Sequence, residues 1–240
     1  TEHGKVTGVR TDRGDIRAEF VLNCAGMWAR EVGRMAGVNV PLQACEHYYL
    51  ISEPVEGVHR MLPILRDPGN SAYIREEAGK IMVGYFEPVA KPWGLDGIPE
   101  DFCFNDIQAD WDRMMPVIEQ AMHRVPMLMN HGIKLFFCGP ESFTPDHNYL
   151  MGPAPNLKNF FVAAGMNSLG ILSGGGVGMV MAHWITTGLP PMDMWSVDIR
   201  RAHPWQDNTR YLKDRMVEAL GIGYQDHWPF RQWESARGVK

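Results

Sequence analysis

Residues 159–178 read NFFVAAGMNSLGILSGGGVG, and this stretch decides the fold of the 240-residue chain. Its first six residues are a short apolar run that predicts a buried strand, and the glycines that follow let the backbone approach a neighbour or a ligand closely. A helix is predicted to start near Gly176 and to end at Gly188. Strand, glycine-rich loop and helix favour a phosphate or an electron-rich ring at the amino-terminal end of that helix, so we expect this end to point into the largest concavity.

Two other interpretations of the glycine-rich stretch are open. Glycines that serve only close helix packing would explain it without any ligand. A nicotinamide dinucleotide site is disfavoured, because no GxGxxG occurs in the sequence and no acidic residue ends a second parallel strand about 20 residues further on.

The composition is that of a globular protein with mixed charge. Hydrophobic residues make up 45 % of the chain, and 23 basic against 28 acidic residues give a net charge of −5. This balance offers no basic stripe for nucleic acid, and no apolar run approaches the roughly 18 residues that a membrane span needs. Small molecules or proteins are therefore the expected partners, with neither nucleic acid nor membrane.

The four cysteines form no CxxC pair, so their spacing predicts neither a metal site nor a disulfide framework and favours a reducing compartment. Residues 1–20 are too charged for a signal peptide, and the sequence starts at Thr1 rather than Met. We therefore expect a processed chain or a fragment. The expected location is the cytoplasm for a bacterial source and the mitochondrial matrix for a eukaryotic one.

The segments before the glycine-rich stretch predict two kinds of structure. Residues 4–23 predict a β-hairpin, residues 21–26 a buried strand that ends in small residues, and residues 27–35 a helix. This is half of a βαβ unit, although an ordinary crossover without a ligand gives the same pattern. Three stretches rich in β-branched and aromatic residues predict an antiparallel sheet: 47–52, 71–75 and 81–86.

Three further elements are predicted outside that sheet. Residues 107–125 predict an amphipathic helix, or two helices interrupted at Pro116. Residues 133–137 predict another strand, followed by a long loop over 138–155. The polar and aromatic tail from Met192 onward predicts a linker packed on the surface.

Eight short motifs follow one another along nearly the whole chain. They are VLNCAGMW at 21–28, VPL at 40–42, EHYY at 46–49, LPILRD at 62–67, YIRE at 73–76, GPESFTPDH at 139–147, GMNS at 165–168 and DIRR at 198–201. In this order they resemble the sarcosine and dimethylglycine dehydrogenase family of D-amino-acid-oxidase-like flavoenzymes, which includes the regulatory subunit of pyruvate dehydrogenase phosphatase. Each motif is weak alone, and the ordered set is specific.

The resemblance implies an α+β fold, a truncated glutathione-reductase-like architecture in which an α/β FAD-domain remnant adjoins a substrate domain built on a mostly antiparallel sheet. Residues 226–230 and 235–240 are similar to the junction before a folate-binding aminomethyltransferase-like domain, so tetrahydrofolate is implied only for a domain absent here. The implied parts are an FAD-domain remnant at 1–37, the substrate domain at 38–137, a return segment of the FAD domain at 138–190 and a linker at 191–240.

FAD is the cofactor that the resemblance implies, with no metal. The family's GxGxxG, its ADP-ribose-binding acidic residue and any flavin-linking histidine would lie upstream of Thr1, which makes the chain a C-terminal fragment of the FAD-dependent part. The implied cofactor-binding residues are Ala25, Gly26, Trp28, Gly165, Met166, Asn167, Ser168, Leu169, Gly170 and Ile171.

The activity that the resemblance implies is oxidative demethylation of a small N-methylated glycine, with oxygen or an electron-transfer flavoprotein as the electron acceptor. Matched motif by motif, His47 resembles the active-site histidine and Tyr73 the tyrosine beside it, and these two are the candidate catalytic residues. A histidine titrates near neutral pH and suits control of the amine's proton. A structural histidine and a cross-strand aromatic remain the plain alternatives.

Two further alternatives are open at this point. Asp146 and His147 follow a Thr-Pro pair and are interpreted as a turn or a helix cap rather than as catalytic residues. The whole protein could also be a regulatory subunit without catalysis on the same fold, because similar residues can persist in that branch.

The implied division of the FAD site gives a first prediction. The 240-residue chain on its own should bind FAD weakly or not at all, because the half that cradles the phosphates is expected upstream. Titration of the isolated chain with FAD, followed by flavin fluorescence, checks this. Nanomolar affinity would contradict it.

Overall fold

A computed structural model describes residues 1–234 of the chain. In this part strands and helices are mixed, and the strands form one two-stranded, one three-stranded and one five-stranded sheet. The predicted α+β class is confirmed. The junction motif expected at 235–240 lies outside the described residues.

The three-stranded sheet joins segments that are far apart in sequence. Strand β3 (Val21–Asn23) pairs in parallel with β10 (Phe160–Ala164), and β9 (Leu150–Pro153) pairs with β10 in antiparallel. Every residue of β10 is buried, as the apolar run predicted. The predicted amino-terminal hairpin is present as β1 (Gly8–Thr11) and β2 (Gly14–Arg17).

Two helices flank this sheet. Helix α1 (Ala29–Met35) confirms the helix predicted over 27–35, and a short 3-10 turn, Gly26–Trp28, precedes it. The other helix in this region, named α3 from its order in the chain, spans Gly170–Thr187 and ends at the left-handed Gly188. Among residues 1–234, no helix is both long enough and apolar enough to cross a membrane.

The start of α3 differs from the prediction of a helix beginning near Gly176. The amide of Ser173 already donates to the carbonyl of Leu169, so the glycine cluster lies inside the helix. Glycine costs about 1 kcal/mol per helical position relative to alanine. Burial of Met181 and Trp184 further along the same helix offsets that cost, and so tertiary packing overrides the local preference.

The five-stranded sheet is antiparallel, and it confirms the three strands predicted between 47 and 86. Its strands, in spatial order, are β5 (Leu65–Asp67), β6 (Ala72–Glu77), β7 (Lys80–Tyr85), β4 (Gln43–Ser52) and β8 (Ile133–Phe143).

Strand β8 corrects the loop predicted over 138–155. The strand continues through Gly139 and Pro140 as far as Phe143, and β9 also lies within the predicted loop. Pro140 stands opposite Glu46 in the register of β4 and β8. Strand β8 lies at the edge of the sheet and has a partner strand on one side only. A proline, which has no N–H to donate, is tolerated there because its nitrogen can face the unpaired side.

Helix α2 (Trp111–Arg124) covers one face of the five-stranded sheet. It is a single helix with Pro116 inside it, and the carboxylate of Asp110 caps it by accepting the amide of Arg113 at 3.1 Å. The residues that it buries against the sheet share one side: Met114, Val117, Ile118 and Ala121.

The tail from Met192 differs from the predicted surface linker. Helix α4 (Thr209–Ile222) lies there, and its apolar stripe is buried against Cys45 and Phe143 of the sheet. The stripe repeats at helical spacing, a signal present in the sequence: Leu212, Met216, Ala219 and Leu220. The division into four parts stays a prediction.

The packing of α3 gives a second prediction. Trp184 is 2 % exposed, and a Cβ at Gly152 would lie 2.6 Å from its ring, so the indole fills its site tightly. Trp184→Ala should lower the free energy of unfolding by about 3–5 kcal/mol because it leaves a cavity. Met179 lies on the same helix and is 62 % exposed, so Met179→Ala is the matched control and should change stability by less than about 0.5 kcal/mol. Denaturant titration measures both, and equal losses would refute the assignment of Trp184 to the core.

Candidate functional site

The five-stranded sheet has one face against α2 and one face that carries the candidate catalytic residues. Tyr49 and Tyr73 both stand opposite Gly84 of the central strand β7, so all three lie on one face. His47 lies two residues before Tyr49 and therefore on that same face. We call this face, with His47, Tyr49 and Tyr73, the open face.

Gly84 makes room for Tyr73 on the open face. A Cβ at this position would lie 1.9 Å from Cζ of Tyr73, so the phenol ring lies directly across strand β7. Any larger residue would displace the ring. The glycine therefore lets Tyr73 reach from β6 toward β4, where His47 is located.

Phe86 connects the two candidate residues. Its ring centroid lies 4.9 Å from that of His47 and 5.9 Å from that of Tyr73. Tyr224 stacks on Phe86 at 4.3 Å and holds it in place. The structure therefore brings His47 and Tyr73 together around one aromatic ring, while their catalytic roles stay a prediction.

Two carboxylates flank the imidazole of His47. Nδ1 lies 3.0 Å from Oε2 of Glu87, whose side chain is only 1 % exposed, and Nε2 lies 3.9 Å from Oε2 of Glu141. Burial lowers the pKa of His47, but the negative charges of Glu87 and Glu141 and the hydrogen bond to Glu87 outweigh it. The net effect raises the pKa of His47 above its usual value.

The sequence did not single out these carboxylates. Glu141 lies on the same face as His47 because it pairs with Cys45 in the register of β4 and β8. If the predicted strand had been extended past Pro140, period-two alternation would have placed Glu141 on the face of His47. Glu87 lies two residues after the end of β7, and no local pattern identifies it.

Tyr73 keeps its proton over a wide pH range. Burial is the largest influence and raises the pKa of its hydroxyl above the usual value, while Arg75 acts in the opposite direction. A neutral phenol can donate a hydrogen bond to a carboxylate or to the edge of a ring.

The expected cofactor residues of the first segment lie on an accessible turn. Gly26 has a φ of 57° and no atom within 4 Å of a Cβ placed on it. Trp28, at the end of the same turn, is exposed, and Ala25 is half-buried. A planar group can therefore approach the backbone here.

The expected cofactor loop 165–169 is locked to the end of the large sheet. The buried side chain of Asn167 accepts the amide of Thr144 at 2.9 Å and donates to the carbonyl of Gly165 at 2.8 Å. Asn167 and Ser168 both have positive φ, a strained conformation for residues with side chains. Asn167 therefore holds the loop in shape, and the partly buried Met166 packs against a core cluster.

The start of α3 presents backbone and apolar side chains. No side chain caps this end among the described residues, and Leu169 and Ile171 are exposed next to Gly170. The expectation that the helix start faces the largest concavity is not met. Cavities of about 920 and 540 Å³ are lined instead by the amino-terminal hairpin and by the tail around Trp228.

Asp146 and His147 form a turn, as the sequence indicated. The carboxylate of Asp146 accepts the amide of Asn148 at 3.1 Å and pairs with Arg201 at 2.7 Å. His147 has a φ of 60° and lies against Gly223. Within residues 1–234, no group of three or more His, Cys, Asp or Glu side chains could hold a metal ion.

Three relatives match almost all of this chain. Sarcosine dehydrogenase from Mus musculus is 44 % identical over 98 % of the chain and 26 % of its own length. The 4-methylaminobutanoate oxidase (formaldehyde-forming) from Paenarthrobacter nicotinovorans is 41 % identical over 98 % of the chain and 28 % of its own length. The pyruvate dehydrogenase phosphatase regulatory subunit from Mus musculus is 35 % identical over 99 % of the chain and 27 % of its own length. The chain thus spans about a quarter of the length of these relatives.

Structure and family profiles agree with the resemblance that the motifs carried. L-proline dehydrogenase from P. horikoshii superposes with a TM-score of 0.69 at 24 % identity, over 83 % of this chain and 51 % of that one, which shows a shared fold. A profile described as FAD dependent oxidoreductase matches residues 1–184, and one described as FAD dependent oxidoreductase central domain matches 187–240. Because the first profile covers most of the sequence, the chain belongs to the FAD dependent oxidoreductase family.

Proposed function

We propose that the protein containing this chain uses FAD to oxidise the C–N bond of a small N-methylated amino acid. The observation that carries the proposal is the open face, where His47 and Tyr73 meet around Phe86. Relatives at 44 % and 41 % identity are named for sarcosine and for 4-methylaminobutanoate, which are both N-methylated amino acids.

His47 supplies the proton chemistry in this proposal. In a protonated amine the nitrogen lone pair is used in an N–H bond and cannot assist the loss of a hydride from the neighbouring carbon. The proton must therefore leave first. Nε2 of His47 accepts it, and the raised pKa makes the imidazole a better acceptor. Glu87 and Glu141 then stabilise the imidazolium that forms.

Tyr73 supplies orientation. Its neutral hydroxyl donates to the carboxylate of the substrate, so that the amine end points toward His47 and Glu141. When bound, FAD would supply the acceptor for a hydride from the carbon next to the amine nitrogen.

The residues at the turn of Gly26 and at the start of α3 support the proposal that an isoalloxazine ring contacts this chain there. The turn of Gly26 and Trp28 leaves space above the backbone, and the start of α3 offers amides at Gly170 and Ile171 without a side-chain cap. Free helix-start amides favour a group that gains negative charge. We propose Ala25, Gly26, Trp28 and residues 165–171 as the flavin-contacting part of this chain.

A regulatory role without catalysis is the second candidate, because the pyruvate dehydrogenase phosphatase regulatory subunit is 35 % identical. Substrate-dependent reduction of bound flavin separates the two. The electron acceptor and the location, mitochondrial matrix or bacterial cytoplasm, stay predictions.

The direct experiment uses the protein expressed from its whole natural reading frame. Under anaerobic conditions, sarcosine, dimethylglycine and 4-methylaminobutanoate are each mixed with it, and loss of the oxidised flavin absorbance is followed. At least one should bleach the flavin, with glycine as the unmethylated control. A flavin that stays oxidised with all three would favour the regulatory candidate.

A third prediction separates the roles of the two open-face residues. His47→Gln should slow anaerobic flavin reduction by about 10²–10⁴-fold, because the proton acceptor is lost. Tyr73→Phe should mainly raise the substrate concentration needed for half-maximal rate. Tyr85 faces the α2 side of the same sheet, so Tyr85→Phe is the matched control and should leave both constants unchanged. Wild-type kinetics in His47→Gln would exclude His47 from the reaction.

A further inference from the structure

Glu87 is buried beside the open face on a segment that is held firmly at both ends. The amide of Phe86 donates to the carbonyl of Ser71 at 2.7 Å, and that of Ala90 donates to Val217 of α4 at 2.6 Å. A Cβ at Gly221 would lie 2.6 Å from the carbonyl oxygen of Glu87. Helix α4 therefore packs directly against this segment and fixes where the carboxylate lies.

Both carboxylate oxygens of Glu87 face donors. Oε1 accepts the backbone amide of Tyr48 at 3.1 Å, and Oε2 lies 3.0 Å from Nδ1 of His47. An ionised carboxylate can only accept hydrogen bonds. Nδ1 therefore carries the proton, and in the neutral ring the lone pair is at Nε2.

We propose that Glu87 is the positioning residue of this site: it fixes the tautomer and the ring plane of His47, so that Nε2 faces Glu141 and the open face. This inference rests on the proposed role of His47. It adds that the proton acceptor depends on a buried partner, which α4 holds in place.

The amide of a glutamine could not replace this carboxylate. Glutamine has one oxygen acceptor, and its other terminal atom is a donor. If the oxygen accepts the amide of Tyr48, the NH₂ group donates to Nδ1 of His47 and moves the ring proton to Nε2. If the oxygen accepts Nδ1–H instead, the NH₂ group opposes the Tyr48 amide and leaves a buried donor unpaired.

The groups around His47 determine how its pKa responds. Glu87 acts from the segment after β7 and Glu141 from β8, and both raise the pKa of His47. Tyr73 reaches the same face from β6 as a neutral phenol. His147 lies beyond Phe143, which is itself 6.5 Å from the His47 ring. Removing either carboxylate charge should therefore lower the pKa of His47.

The test uses the flavin-loaded protein from its whole reading frame, labelled with ¹³C and ¹⁵N in histidine. Magic-angle-spinning NMR reports which ring nitrogen carries the proton, and the His47 signal is the one lost in His47→Gln. The wild type should show the Nδ1–H tautomer, and Glu87→Gln should show Nε2–H. Glu141→Gln is the matched control, because it removes the same charge without touching Nδ1.

Kinetics give a second readout. The acid limb of kcat/KM should move to lower pH in both Glu87→Gln and Glu141→Gln, because each loses a charge that raises the pKa of His47. Glu87→Gln should also lower the plateau by on the order of 10²-fold, since the wrong tautomer removes most of the acid–base contribution, and this loss should exceed that in Glu141→Gln, which removes a charge but keeps the tautomer. Glu87→Asp keeps two acceptor oxygens and should retain the Nδ1–H tautomer even if Glu87→Gln does not fold.

The outcomes separate the two proposals. An Nδ1–H tautomer and an unchanged plateau in folded Glu87→Gln, or an Nε2–H tautomer in the wild type, would overturn the positioning role. Wild-type flavin reduction in His47→Gln would instead overturn the proposed function of His47, while the tautomer measurement would still decide whether Glu87 sets the ring.

Discussion

The antiparallel pairing of strand β4 is the constraint on which the rest of the molecule depends. It lies between β7 and β8, and its register with β8 extends from Gln43 to Ser52 with one irregularity near the end. Alternate residues of β4 therefore face opposite sides: Tyr48 and Leu50 enter the core beneath α2, while His47 is on the open face. A shift of one residue in the register would turn the core side chains of β4 to the open face and His47 to the core. The pairing that stabilises the sheet therefore also places His47.

Strand β4 and its partner β8 also tie helix α1 and the glycine-rich loop to the large sheet. Gln43, at the start of β4, accepts a hydrogen bond at 3.0 Å from the buried Arg30 of α1, and Arg30 also pairs with Asp207 of the tail. At the far end of β8, Thr144 holds Asn167 of the glycine-rich loop. Because these polar groups are buried and paired, a change in the position of α1 or of the loop would leave unsatisfied charges or donors. The strained loop is thus fixed relative to the large sheet.

Local sequence patterns predicted most strands and helices of the fold. They failed where packing between distant segments decides the structure. The β-branched and aromatic residues at 47–52 and the apolar run before Gly165 predicted their strands. The continuation of β8 through Pro140 depends on its place at the edge of the sheet, and the helical state of the glycine cluster depends on the burial of Trp184. Neither fact is local. For the site, the resemblance singled out His47 and Tyr73, which lie on strands that the residue composition predicted, and the register puts them on one face.

Glu87 shows why the remaining part of the site needed coordinates. Burial of a carboxylate costs several kcal/mol unless hydrogen bonds compensate it, so a purely structural position would favour an apolar side chain. Glu87 is 1 % exposed and uses both oxygens, one on the backbone of Tyr48 and one on His47. His47 in turn is 13 % exposed, with Nε2 toward the more exposed Glu141. A buried carboxylate thus lies at one nitrogen of a titrating ring, and a more exposed carboxylate lies near the other. This arrangement of burial and opposite charge is typical of functional sites, because it shifts the pKa of a group that can exchange a proton.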